Sequence, residues 1–141
     1  MATVLYEGDW LPSGCHMVLM EIGTDIGGIP TDPELMPPVR VGHGGVAILT
    51  RCEDFGDVRL EIWVGEPPAN SGQWSPAFDG RLETVANGFD AGTATASIYR
   101  VDAPPGSYRV QACVSRDVNG EVDGVRFVFP DPPGLRGRKL W

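Results

Sequence analysis

A chain of 141 residues with Lys+Arg 11 against Asp+Glu 19 carries a formal net charge of -8. Its length suits one domain, and 42% hydrophobic against 21% charged residues can fill a single core, which excludes a disordered chain. The negative balance counts against nucleic acid or an anionic membrane as partner, because phosphate contacts need clustered Lys and Arg, and it favours a cationic partner instead.

The start, residues 1–10, has no basic n-region and no apolar stretch of signal-peptide length. Nothing later reaches the ~18 apolar residues of a membrane helix, so the cytoplasm is the expected address. Strand signals then come in short runs bounded by Gly, Pro, Asn and Asp. The first three are 2–6, 15–22 (closed in by Gly14 and Gly23) and 45–50. The cleanest is 57–64, where Val58, Leu60, Ile62 and Val64 point one way and Arg59, Glu61 and Trp63 the other. Residues 78–85 and the β-branched 93–101 follow. In 106–115, Tyr108, Val110, Ala112 and Val114 alternate with Arg109, Gln111 and Cys113, and Val125, Phe127 and Phe129 form a last inward set. A period of two belongs to half-buried antiparallel strands.

Few windows of 11 residues escape Gly or Pro, each costly inside a helix. The spacing therefore predicts an all-β chain, an antiparallel β-sandwich of about eight strands forming one domain over 1–141. Its long loops are 23–38 and 65–76, the kind of connection that often carries function. Residues 102–106, Asp-Ala-Pro-Pro-Gly, join two strands, and 52–57 make a short hairpin connection. The Asn119-Gly120 pair suits a type I′ turn. The basic end, Arg136-Gly-Arg-Lys139, is either a frayed tail or a last strand at a sheet edge.

Fragments of known catalytic strings occur without their partners. Gly42-His43-Gly44-Gly45 has the form of an esterase oxyanion loop, but no Gly-x-Ser-x-Gly elbow supplies a nucleophile. Asp54-Phe55-Gly56 matches a kinase tripeptide without the phosphate loop or catalytic loop. Asp117, Asn119, Glu121 and Asp123 alternate like the start of a calcium loop, yet Gly120 is misplaced and Val128 stands where a bidentate acid is needed. Asp25, Asp32 and Glu34 follow no ligand spacing and read as a solvated face. Cys15, Cys52 and Cys113 are far apart and odd in number, so reduced buried thiols are expected. His16 beside Cys15 does not make a zinc site, and no motif lowers a thiol pKa to build a pair of Cys52 or Cys113 with His43. No metal, no cofactor and no enzymatic activity are expected.

The aromatic residues carry more weight. Trp63 lies opposite the core set of its strand, and Trp74 sits in the Pro-rich loop. Trp10 and Trp141 stand near the chain ends. Either loops fold back over these rings, or Trp63 and Trp74 form a contact patch. Glu53, Asp54, Asp57, Glu61 and Glu66 would make that patch negative. The expected binding residues are therefore Trp63, Trp74, Glu61, Asp54, Asp57 and Glu66.

Three segments in order carry a family likeness: Asp-Val-Arg-Leu-Glu-Ile-Trp-Val-Gly-Glu-Pro-Pro from Asp57, Phe-Asp-Gly-Arg-Leu-Glu-Thr-Val from Phe78, and Ala-Pro-Pro-Gly-Ser-Tyr-Arg-Val-Gln-Ala-Cys from Ala103. Over residues 40–130 the chain resembles the acidic β-sandwich proteins related to competence protein J, a nuclease inhibitor family, and similar actinobacterial proteins. The resemblance implies a non-enzymatic protein that binds another protein, and it transfers no individual binding residue. The 23–38 segment and the basic terminus depart from it and leave the partner open. The expected function is a protein-binding, inhibitory or immunity-type domain whose acidic surface meets a basic nuclease or toxin. A carbohydrate-binding module with Trp63 and Trp74 as stacking platforms is the alternative, and a structural role in particle assembly is a further one.

Overall fold

The computed structural model describes residues 2–24, 38–42, 44–68, 73–131 and 135–141. Among them are eleven strands and no α-helix: β1 (Thr3–Trp10), β2 (His16–Glu21), β3 (Val39–Gly42), β4 (Gly45–Leu49), β5 (Val58–Val64), β6 (Ser75–Thr84), β7 (Gly88–Thr93), β8 (Ser97–Asp102), β9 (Gly106–Arg116), β10 (Val122–Phe129) and β11 (Arg136–Lys139). Short 3-10 turns occupy Ser13–Cys15 and Glu53–Phe55. Two sheets result. The first has the order β1-β5-β10-β9-β6 and the second β11-β8-β7-β2-β4-β3. Every pairing is antiparallel except β5 with β10, which run parallel with Leu60 opposite Val125 and Ile62 opposite Phe127.

The period of two sets the core. Val58, Leu60, Ile62 and Val64 of β5 face inward beside Val125, Phe127 and Phe129 of β10 and Val110, Ala112 and Val114 of β9. From the second sheet Met17, Leu19, Val46, Ile48, Phe89 and Val101 join the same cluster. Packing two such faces removes both from water and is the main stabilising term of a sandwich.

The expected sandwich is present, with three strands beyond the eight foreseen. β3 and β11 are short, and β11 settles the basic end as an edge strand on β8, Arg138 opposite Arg100. The third is β7, which precedes the expected 93–101 strand, and that strand itself begins only at Ser97. Thr93 bends the chain: its N–H donates to the Ala96 carbonyl at 2.9 Å, and its hydroxyl oxygen accepts from the N–H groups of Thr95 and Ala96 at 3.3 and 3.2 Å. A Thr hydroxyl that satisfies backbone donors makes a turn out of β-branched sequence. The Asn119-Gly120 hairpin also differs from expectation. Only Gly120 has a positive φ, +81°, while Asp117 organises the turn by accepting from the N–H groups of Asn119 and Glu121 at 2.8 and 3.1 Å.

The cysteine expectation is overturned for two of the three. Cys15 and Cys52 form a disulfide with Cα atoms 4.4 Å apart. The register of β2 on β4 pairs His16 with Leu49, and the Thr50 N–H donates to the Cys15 carbonyl at 2.8 Å, so the two thiols are delivered across one strand end. Cys113 stays free and half-buried, and burial pushes its thiol pKa up.

Candidate functional site

The outer face of the first sheet carries the alternate residues of each strand that the core does not use. On β5 these are Arg59, Glu61 and Trp63; the parallel register sets Glu61 beside Arg126 of β10, and β1 sets Glu7 beside Glu61 and Asp9 beside Arg59. Glu61 is 5% exposed. It accepts from Arg59 Nε at 2.8 Å, from the Trp63 indole N–H at 2.8 Å and from Arg126 Nε at 2.9 Å. Burial alone would raise its carboxyl pKa. The hydrogen bonds from Trp63 and Arg59 and the charge of Arg126 outweigh that and hold it below the usual carboxylate range.

Arg126 is itself buried, and its guanidinium stacks over Trp63 at 5.1 Å and over Trp74 at 4.2 Å from the ring centres. Trp74 reaches it because Gly124 lies beneath: a Cβ there would stand 3.1 Å from the Trp74 ring. Arg59 continues the chain of charges outward to Glu7 at 2.9 Å and Asp9 at 3.8 Å.

Three of the six expected binding residues, Trp63, Trp74 and Glu61, thus meet in one cluster, organised by Arg126. The other three do not join it. Asp54 is exposed on the 3-10 turn before β5, and Asp57 is exposed where β5 begins. Glu66 is exposed beyond the other end of β5, nine residues from Asp57, a separation of roughly 30 Å at ~3.3 Å per residue. Arg126 is the residue that sequence reasoning missed. Its signal was the alternation Val125-Arg126-Phe127, which puts an arginine outward between two core residues.

The turn at the start of β5 is also built around an arginine. Arg51 donates from Nε to the Asp57 carbonyl at 3.1 Å, reaches the same oxygen with Nη2, and pairs with Asp117 Oδ2 at 3.3 Å. Asp117 is thereby engaged on both oxygens, and Asp123 accepts from the Ser115 hydroxyl at 2.8 Å. Burial raises the Asp117 carboxyl pKa, but the Asn119 and Glu121 N–H groups and Arg51 hold it low. Among the described residues no three His, Cys, Asp or Glu side chains come together in a way that could hold a metal. His43, and with it the oxyanion and Cys–His readings, lies outside the described residues, as do Asp25, Asp32 and Glu34. At the sandwich edge Trp141 packs edge-on against Trp10 at 5.1 Å and Tyr6 at 5.8 Å, which ties the chain end to β1.

These features define a two-sheet β-sandwich with a charged, aromatic-lined outer face on one sheet. A solved structure shares this fold: ComJ from Bacillus subtilis, described as an inhibitor of the DNA degrading activity of NucA, matches with a TM-score of 0.59 at 9% sequence identity. The match covers 91% of this chain and 96% of that one. No family model and no curated protein sequence matches the chain. No helix among the described residues is long and apolar enough to cross a membrane.

Proposed function

We propose that this chain is a non-enzymatic protein-binding inhibitor whose partner is a basic, DNA-degrading nuclease. The observation that carries this is the likeness in fold to the nuclease inhibitor ComJ across 91% of the chain. The net charge of -8 supports it, because an acidic protein is steered toward the cationic cleft with which a nuclease holds phosphodiester backbone. Trp63 and Trp74 each give a ring face to Arg126, so the sugar-platform alternative finds those faces already stacked.

The test is DNA cleavage by NucA of Bacillus subtilis, and by the basic nucleases purified from the cell that makes this chain, with rising amounts of the chain added. Loss of cleavage that saturates near one chain per nuclease is expected for at least one of them. Undiminished cleavage by all of them with the chain in excess overturns the reading.

A further inference from the structure

The end of the sandwich where β5 begins displays apolar side chains that its own fold leaves in water. Phe55 is 71% exposed and Val118 fully so. They stand on different connections, the Glu53–Phe55 turn and the β9–β10 hairpin, yet line one hollow of about 340 Å3 with Arg51, Asp117, Asn119 and Glu121.

The backbone under Phe55 is held firmly. Cys52 is bound to Cys15, the Arg51 N–H donates to the Val122 carbonyl at 3.0 Å, and the Arg51 guanidinium clasps the Asp57 carbonyl. Gly56 closes the turn at φ +114°, which an L side chain rarely adopts. A rigid turn presenting an aromatic ring to solvent loses little conformational entropy when that ring enters a partner, the condition under which such rings become binding anchors.

The surrounding charge is predominantly acidic. Glu53, Asp54, Asp57 and Glu121 are exposed, and among the described residues none of the four has an ion-pair partner. Of the cations nearby, Arg51 is neutralised by Asp117, and Arg116, exposed and in no ion pair among the described residues, is tethered by its donation to the Gly120 carbonyl at 2.8 Å, so four unpaired acids face one unpaired cation.

We infer that this end is the docking face for a folded basic protein. Phe55 and Val118 enter an apolar hollow of the partner, and Glu53, Asp54, Asp57 and Glu121 meet the Lys and Arg side chains around it. Naming that partner a nuclease rests on the inhibitory reading above; the face itself rests on the exposed Phe55 and Val118 and the acids around them.

Two measurements keep the two apart. In the first, the 15N-labelled full chain is titrated with cytochrome c, a folded basic protein, at low ionic strength. Amide shifts are expected at 53–57 and 117–121, reversing as salt is raised. Shifts centred elsewhere, such as 79–83, or no shifts at all, overturn the face.

In the second, Phe55→Ala and, as an equally exposed apolar control at the opposite end, Val85→Ala are compared as inhibitors of the nuclease the chain blocks, after amide spectra confirm that both fold. Phe55→Ala is expected to weaken inhibition by about tenfold or more and Val85→Ala to leave it unchanged. Equal inhibition by the two variants overturns the face and leaves the inhibitory reading standing. No inhibition by the unaltered chain, with cytochrome c shifts at 53–57, removes the inhibitory reading and leaves the face.

Discussion

Two regions of this molecule set aromatic rings beside charges and use them in opposite ways. On the outer face of the first sheet, Trp63 and Trp74 enclose Arg126, and Glu61 takes hydrogen bonds from two arginines and an indole. Each charge there is neutralised within the fold. At the start of β5, Phe55 and Val118 stand in water beside acids that have no cation of their own among the described residues. The first region is saturated and holds the sheet and the segment bearing Trp74 together. The second has valence left for another molecule. Residue type alone does not separate them; what separates them is whether each group already has a partner.

The largest expected effect breaks the saturated region. Arg126→Ala leaves the Glu61 carboxylate buried beside Arg59 alone and removes the filling between two tryptophans, at an expected cost of about 3–5 kcal/mol in urea unfolding. The double variant Arg126→Met with Glu61→Leu is expected to recover most of that loss, since an apolar pair no longer strands a charge. Loss of stability by the double variant equal to the sum of the single ones would mean that the two residues do not act as a pair.

The disulfide comes next. Replacing Cys15 and Cys52 by Ser together is expected to cost about 2–4 kcal/mol, because the bond closes a loop of 37 residues in sequence separation. It also removes the anchor under Phe55, so inhibition should weaken beyond what the stability loss explains. A count of free thiols in protein quenched directly from cells is expected to find one, Cys113. A count of three would mean that the bond does not persist in the cell that makes the chain.

A smaller effect follows from titration, in two pH windows. Burial foremost, with Arg40 adding to it against the Gly14 carbonyl bond, holds the His16 pKa below its ordinary value. The unfolded chain therefore takes up that proton first, and stability begins to fall as pH drops below about 6.5. Glu61 has a folded pKa below its unfolded one. Its contribution is complete above about pH 4.3 and is lost as pH falls from there through the folded value. Chemical unfolding across pH checks both, and His16→Asn is expected to flatten the upper window only.

The smallest effect on stability belongs to the region assigned to binding. Phe55→Ala is expected to change unfolding free energy by no more than about 0.5 kcal/mol, because the ring is 71% exposed. A larger loss would mean that Phe55 serves the fold, and the contrast between the two regions would fail.

How far the sequence disclosed this arrangement depends on the range of the interaction. The alternation of Val58, Leu60, Ile62 and Val64 made β5 legible, and the same local period marked β9 and β10. Period two says which face a residue takes but not which strand lies beside it, so the parallel β5–β10 pair and the meeting of Glu61 with Arg126 were not legible. β7, Gly-Phe-Asp-Ala-Gly-Thr, lacks strand propensity and forms because β2 and β8 pair with it on either side. Cys15 and Cys52 needed the β2–β4 register before their spacing meant anything. Trp63, Trp74 and Glu61 could be named from the sequence as candidate binding residues, but that Arg126 joins them emerges only with the parallel register of β10 on β5.

The most direct measurement is amide hydrogen exchange of the full chain, alone and saturated with a nuclease that it inhibits. Added protection is expected at 53–57 and 117–121, with exchange at 61–63 and 124–128 unchanged because that cluster is already closed. Protection centred on the outer face of the first sheet, with 53–57 unaltered, would contradict the division drawn between the two regions.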